Sequence, residues 1–85
     1  MRDIKEQTKR AQEFSAKLTR RQRDVWNYAA MGYNNERIGQ ELGLKLKTIK
    51  NNLGAIFRKL KPQPGEDRRA TIVMLWYLYH RCRGS

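Results

Sequence analysis

The segment "YNNERIGQELGLKLKTIKNNLGAIFRKLK", residues 33–61, contains two helical patterns separated by a short turn. Asn34 is a favoured N-cap residue and Gly43 is a natural helix stop, so a short scaffold helix is predicted at about residues 34–42. After the turn, a longer basic helix is predicted at about residues 46–60. A short helix, a brief glycine-containing turn and a longer helix form the outline of a helix-turn-helix.

The longer helix has two unlike faces when residues are placed 100° apart around its axis. The side predicted to face the core is aliphatic and comprises Ile49, Leu53, Ile56 and Leu60, with Phe57 beside it. The opposite side carries cations, amides and small residues: Lys47, Asn51, Gly54 and Arg58, with Lys50 and Lys61 at one edge and Thr48 and Ala55 at the other. The helix is thus predicted to pack with one face and to offer the other to a partner.

The chain is strongly basic, and its charge is concentrated around this helix. Lys and Arg number 19 against 8 Asp and Glu, which gives a net charge of +11. Between Leu42 and Gly65 there is neither Asp nor Glu, although mixed charges serve solubility equally well. Among nucleic acid, an anionic membrane and an acidic protein, this basic helix within a helix-turn-helix favours nucleic acid.

Helices are also predicted on both sides of this motif. In "LTRRQRDVWNYAAMG", Thr19 and Gln22 are spaced as a capping box, and Gly32 is a natural stop. After the motif, the two prolines of "KPQPGED" exclude a continuous helix, and a last helix is predicted at about residues 67–81.

Residues 1–17 are mostly polar and are predicted to form an N-terminal arm or extra helix. Within them, Glu6 and Arg10 have the spacing of a helical ion pair. Residues 18–85 are then the helix-turn-helix domain. Because no alternating strand pattern occurs, the expected fold class is all-α, with four helices and this polar arm or helix.

The last helix is apolar on most of its circumference. Its predicted core side comprises Arg68, Ile72, Leu75, Trp76 and Tyr79. A second side, predicted to lie outside the core, comprises Val73, Met74, Tyr77 and Leu78. Such a side needs a cover, either a second copy of the chain or residues 4–14, and we favour a symmetric homodimer.

Catalytic and metal chemistry are not predicted. The chain has no paired-carboxylate site, no Ser or Cys nucleophile with a plausible base, and no phosphate-cradling glycine loop. One Cys and one His, Cys82 and His80, are too few for a tetrahedral zinc site. We therefore expect no enzyme activity, no metal, no cofactor and no small-molecule substrate.

The lone cysteine excludes an internal disulfide and is typical of a reducing compartment. No apolar run approaches the roughly 18 residues of a membrane span, and the charged first residues lack the apolar stretch of a signal peptide. We expect a soluble cytoplasmic protein that has no membrane partner and is associated with the nucleoid.

Three segments, "LTRRQRDVWNYAAMG", "YNNERIG" and "LGLKLKTIKNNLGAIFRKL", resemble the DNA-binding domain of LuxR-type (NarL/GerE-like) bacterial regulators. The resemblance runs from about residue 18 to about residue 60 without a gap. It implies a four-helix transcription regulator whose third helix is the recognition helix and whose last helix commonly forms a dimer. The chain departs from the family at Lys45, where Ser usually caps the recognition helix, at Arg37, where Glu is usual, and at Asn52, where His is common.

These observations predict a regulator that binds double-stranded DNA sequence-specifically, as a homodimer. Lysine reaches the guanine edge and asparagine pairs doubly with adenine, so the predicted base contacts are Lys47, Thr48, Lys50 and Asn51. The predicted phosphate contacts are Tyr33, Asn34, Asn35, Lys45, Asn52, Arg58, Lys59 and Lys61.

Two alternatives stay open at the level of sequence. The chain could be a small adaptor or antagonist that binds RNA polymerase or another regulator through the last helix. It could also be a sigma-like promoter-binding module, because "RRQRDV" and "LKLKTIKNNL" are similar to the −35-binding region of sigma factors.

Overall fold

The computed structural model describes residues 4–84, with side chains for residues 4–81. Within that range it consists of helices alone: α1 (Ile4–Lys17), α2 (Arg20–Ala30), α3 (Asn35–Leu42), α4 (Leu46–Leu60) and α5 (Arg68–Gly84). The all-α fold class is confirmed. None of these helices has both the length and the apolar character that crossing a membrane requires. Residues 1–3 of the predicted arm and the side chain of Cys82 lie outside the described part.

Local signals account for where α2 begins and ends. Thr19 Oγ1 accepts a hydrogen bond from the backbone N–H of Gln22 at 3.1 Å. In return, Gln22 Oε1 accepts one from the backbone N–H of Thr19, also at 3.1 Å. This is the predicted capping box, which satisfies two amides that the helix itself cannot. The helix ends at Ala30, and Gly32 follows with φ of +93°.

A close backbone approach forms the turn between α3 and α4. Asn34 Oδ1 caps α3 by accepting a hydrogen bond from the Arg37 amide at 2.8 Å, and Gly43 ends it with φ of +67°. The Leu44 amide then donates to the Gly39 carbonyl at 2.9 Å. A Cβ atom at Gly39 would lie only 2.7 Å from the Leu44 carbonyl oxygen, so no larger residue fits here without displacing the turn.

The aliphatic stripe of α4 lies at the centre of the core, as its spacing predicts. Side chains from every helix bury against it: Ala11 and Phe14 from α1, Val25, Trp26 and Ala29 from α2, Ile38 from α3, and Ile72, Leu75 and Leu78 from α5. The buried indole of Trp26 donates from Nε1 to the Ile72 carbonyl at 2.9 Å, so its polar atom is satisfied.

The first helix, α1, is docked rather than a free arm. It packs against α5, and Phe14 makes an edge-to-face contact with Trp26, with ring centroids 5.2 Å apart. The guanidinium of Arg10 pairs with both carboxylate oxygens of Glu66, at 2.9 and 3.0 Å, in the loop before α5. Arg10 therefore pairs across the fold, and not with Glu6 as the helical spacing predicts.

The prediction for α5 was wrong at two positions. Leu78 is only 7% exposed and belongs to the core, whereas Arg68 is exposed and its guanidinium lies 4.6 Å from the Phe57 ring centroid. For Leu78 the cause is α1, which packs against α5 and places Ile4 and Thr8 near this side chain. Packing by residues 4–14, the less favoured alternative, therefore covers this part of α5.

Replacing Gly39 by alanine tests the close approach of α3 to the turn. Because the added Cβ would meet a backbone oxygen, we expect Gly39→Ala to lower the free energy of unfolding by about 2 kcal/mol in urea denaturation. The neighbouring Gln40→Ala, at an exposed position of the same helix, should change it by less than about 0.5 kcal/mol. Equal stability of the two variants would refute this view of the turn.

Candidate nucleic-acid interface

The outward face of α4 forms the centre of the candidate interface. Lys47, Lys50, Asn51 and Arg58 are all exposed, whereas the aliphatic stripe on the other side of the helix is buried. Thr48, at the edge of this face, is half-buried. The core thus fixes which side chains α4 presents, and the predicted base contacts share one surface.

The start of α4 carries positive charge that the protein does not neutralise. Lys45 occupies the N-cap position in an extended conformation and makes no capping hydrogen bond through its side chain. The first turn contains no acidic residue. Cations at this end of a helix are electrostatically unfavourable, so the arrangement suits an external anion better than it suits the isolated fold.

No acidic residue lies on α4 itself, although Glu36 of α3 lines a concavity together with Lys50. The ion pairs of the described residues include Arg21 with Asp24 and Arg37 with Glu41, and no basic residue of α4 forms one with another described residue. The hydrogen bond and charge of Glu41 raise the pKa of Arg37. The exposed cations Lys47, Lys50 and Arg58 therefore remain available to a polyanion.

Two predicted phosphate contacts use their donors inside the protein instead. The Lys59 ammonium donates to the Lys17 carbonyl at 2.9 Å and to Gln22 Oε1 at 2.6 Å, which ties α4 to α1 and α2. Asn52 donates from Nδ2 to the Thr48 carbonyl at 2.8 Å. The partners of Lys59 are 42 and 37 residues away, so its spacing on α4 could not reveal this role.

The remaining phosphate candidates lie at the start of α3 and at the ends of α4. Tyr33, Asn34 and Asn35 line one shallow concavity together with Leu46 and Lys50 of α4. Arg69 of α5, which is not among the predicted site residues, lines the same concavity. Its signal in the sequence is the pair of arginines directly after Asp67. Lys45, Arg58 and Lys61 are exposed at the ends of α4.

Gly54 lies half-exposed between Lys50 and Arg58 on the outward face. A Cβ atom built there would meet only the Arg58 guanidinium, at 3.4 Å, and that group belongs to a flexible side chain. The fold itself therefore does not require glycine at this position. Glycine in mid-helix is unfavourable, and close approach to an external surface is a reason to retain it.

The predicted dimer surface is reduced to two exposed side chains. Val73 is 44% and Tyr77 57% exposed, whereas Met74 is half-buried against the core and Leu78 is buried. The exposed patch on α5 therefore consists of Val73 and Tyr77 alone among the four predicted dimer residues, and it carries no charge.

A family model described as "Bacterial regulatory proteins, luxR family" matches residues 16–74. The matched region contains α2, α3, α4 and the first turns of α5, whereas α1 lies almost entirely before it. No curated protein and no solved structure matches the chain significantly. The resemblance predicted for about residues 18–60 is confirmed by this match.

Replacing Gly54 by alanine should affect the stability of the fold and the affinity for DNA in opposite directions. We expect Gly54→Ala to raise the free energy of unfolding by about 1 kcal/mol, because alanine loses less backbone entropy in a helix. We also expect it to weaken binding to a labelled random-sequence duplex, measured by fluorescence anisotropy, because the methyl group keeps the helix away from the DNA. A more stable variant that binds as tightly as the original would contradict a close approach at Gly54.

Proposed function

The chain belongs to the luxR family of bacterial regulatory proteins, which bind DNA and regulate transcription, and from this premise we propose a sequence-specific regulator whose α4 enters the major groove. The observation that carries the proposal is the division of α4. Its aliphatic stripe is buried, while the opposite face presents the exposed Asn51 amide and exposed cations that form no ion pair with a carboxylate of the described residues.

The side chains of α4 divide into base contacts and phosphate contacts. Lys47, Lys50 and Asn51 are proposed to contact base edges, and half-buried Thr48 is proposed to contact a thymine methyl at the rim. Lys45, Arg58 and Lys61 are proposed to hold phosphates, together with Tyr33, Asn34 and Asn35 at the start of α3. Lys59 and Asn52 are left out because both side chains already donate hydrogen bonds within the fold.

We further propose that two copies meet through Val73 and Tyr77 when bound to DNA. A stable interface usually buries about 800 Å² on each partner, which two exposed side chains do not supply alone. Self-association should therefore be weak in free solution and become evident on DNA. Two half-sites about one helical turn apart, roughly 34 Å, would then be bound together.

Binding to duplex DNA and its salt dependence test the major-groove proposal. Each Lys or Arg that binds a phosphate releases a counterion from the DNA, and this release becomes less favourable as the salt concentration rises. Affinity should therefore fall at least about tenfold between about 50 and about 200 mM salt. Selection of bound sequences from random duplexes should give a defined site for the original protein. With Asn51→Ala, the preference at one or two positions should relax, corresponding to about 1–3 kcal/mol of lost discrimination.

The matched control is Gln12→Ala, which removes an exposed amide from α1 and should leave the selected sequence unchanged. Binding that does not respond to salt would refute the DNA-binding proposal. A selected sequence that is the same with and without the Asn51 amide would refute its role in base recognition.

Replacing Val73 and Tyr77 together by serine separates the dimer from the adaptor alternative. We expect the double variant to keep its affinity for a single half-site and to lose affinity for a two-half-site duplex, because the exposed apolar contact is gone. Band shifts on the two duplexes and sedimentation velocity measure these outcomes. Loss of binding to RNA polymerase, with affinity for both duplexes intact, would support an adaptor instead.

A further inference from the structure

We propose that Arg69 is a phosphate-binding residue, so that the first turn of α5 holds the DNA backbone beside α4. This inference rests on the proposed DNA binding and extends the interface to a third helix. It adds a residue that neither the spacing of the helix-turn-helix nor the composition of α4 indicates.

The first observation is that polar side chains from three helices lie around one concavity. Arg69 lines the concavity described above together with Lys50 of α4 and with Asn34 and Asn35 at the start of α3. Polar side chains from α5, α4 and the start of α3 therefore meet around one surface, which carries two cations, two amides and the carboxylate of Glu36. A duplex whose bases contact α4 has its sugar–phosphate backbone at the rim of the groove, and this concavity borders the proposed base-contacting Lys50.

The second observation is a difference between two neighbouring arginines. The Arg68 guanidinium lies 4.6 Å from the Phe57 ring centroid, well within cation–π range, so packing against α4 accounts for it. The Arg69 guanidinium lies 6.0 Å from the same centroid, at the limit of that range, and its residue is exposed. No ion pair joins Arg69 to another described side chain.

Arg69 also lies at the end of α5 where the helix dipole does not favour a cation, although Asp67 directly precedes the helix. The first turn of α5 contains no acidic residue, and a cation near the start of a helix opposes the helix dipole. An external anion removes this disadvantage. The planar guanidinium suits a phosphate particularly well, because it can donate two parallel hydrogen bonds to the phosphate oxygens.

Replacing Glu36 should change DNA affinity in the opposite direction to replacing Arg69. Glu36 is exposed and lines the same concavity, where its carboxylate would repel a phosphate held by Lys50 and Arg69. Its presence is consistent with its place in the first turn of α3, where the helix dipole favours an acid. If a phosphate occupies this concavity, Glu36→Gln should tighten DNA binding while Arg69→Gln weakens it.

The experiment compares Arg69→Gln with Arg81→Gln, which removes the same charge from an exposed position near the other end of α5. We expect Arg69→Gln to reduce the slope of log affinity against log salt by about 1 and to leave the selected sequence unchanged. Arg81→Gln should keep the slope of the original protein. Arg69→Lys, which keeps the charge but not the paired hydrogen bonds, should restore most of the slope.

Equal slopes for Arg69→Gln and Arg81→Gln would overturn the role of Arg69, and the proposed function would stand as long as the original protein binds with salt dependence. An altered selected sequence for Arg69→Gln would also overturn it, because a phosphate contact does not discriminate between bases. Failure of the original protein to bind any duplex at low salt would instead overturn the proposed function and this inference with it. Circular dichroism of each variant confirms that the helices are retained.

Discussion

The orientation of α4 about its own axis, which decides which of its faces is buried, is the constraint on which the rest of the molecule depends. Ile49 and Ile56 are fully buried, and burying an aliphatic side chain of this size contributes about 1.5–3 kcal/mol relative to exposure. Rotating the helix would exchange them for Lys47 or Arg58, whose unpaired charges are far more costly to bury. Hydrophobic burial therefore decides which side chains face outward. The close approach of Gly39 to Leu44 then sets how α3 lies beside that face.

The docking of α1 changes what the last helix presents. It buries Leu78 and leaves Val73 and Tyr77 exposed, so the apolar surface of α5 is divided between the core and a small outer patch. It also restrains the loop before α5. The carboxylate of Glu66 accepts hydrogen bonds from Arg10 of α1 and, at 2.8 Å, from the backbone N–H of Gln63 in the loop. The first helix therefore contributes to the position of the first turn of α5, although it lies almost entirely outside the family match.

The features of the fold that can be predicted from the sequence are those whose physical cause is local. The capping box at Thr19, the N-cap at Asn34 and the left-handed Gly43 each act within one turn, and the aliphatic period of α4 needs no partner to be recognised. Features that arise where distant segments meet cannot be predicted in this way. The side of α5 that faces the core could not be chosen from its own pattern, because that helix is apolar almost all round and the cover of Leu78 comes from a sparsely apolar segment. The internal role of Lys59 was missed for the same reason.

Lys59 and Arg58 are adjacent cations on one helix, and the difference between them shows how stability and recognition are separated. Lys59 holds three helices together through two hydrogen bonds, so its replacement would disturb the fold. Arg58 faces outward, as do Lys47, Lys50 and Asn51, and these side chains contribute little to the core. The outward residues can therefore change without altering the packing that positions them. If α4 contacts base edges as proposed, substitutions on its outward face change the DNA sequence preference while the protein keeps the same fold.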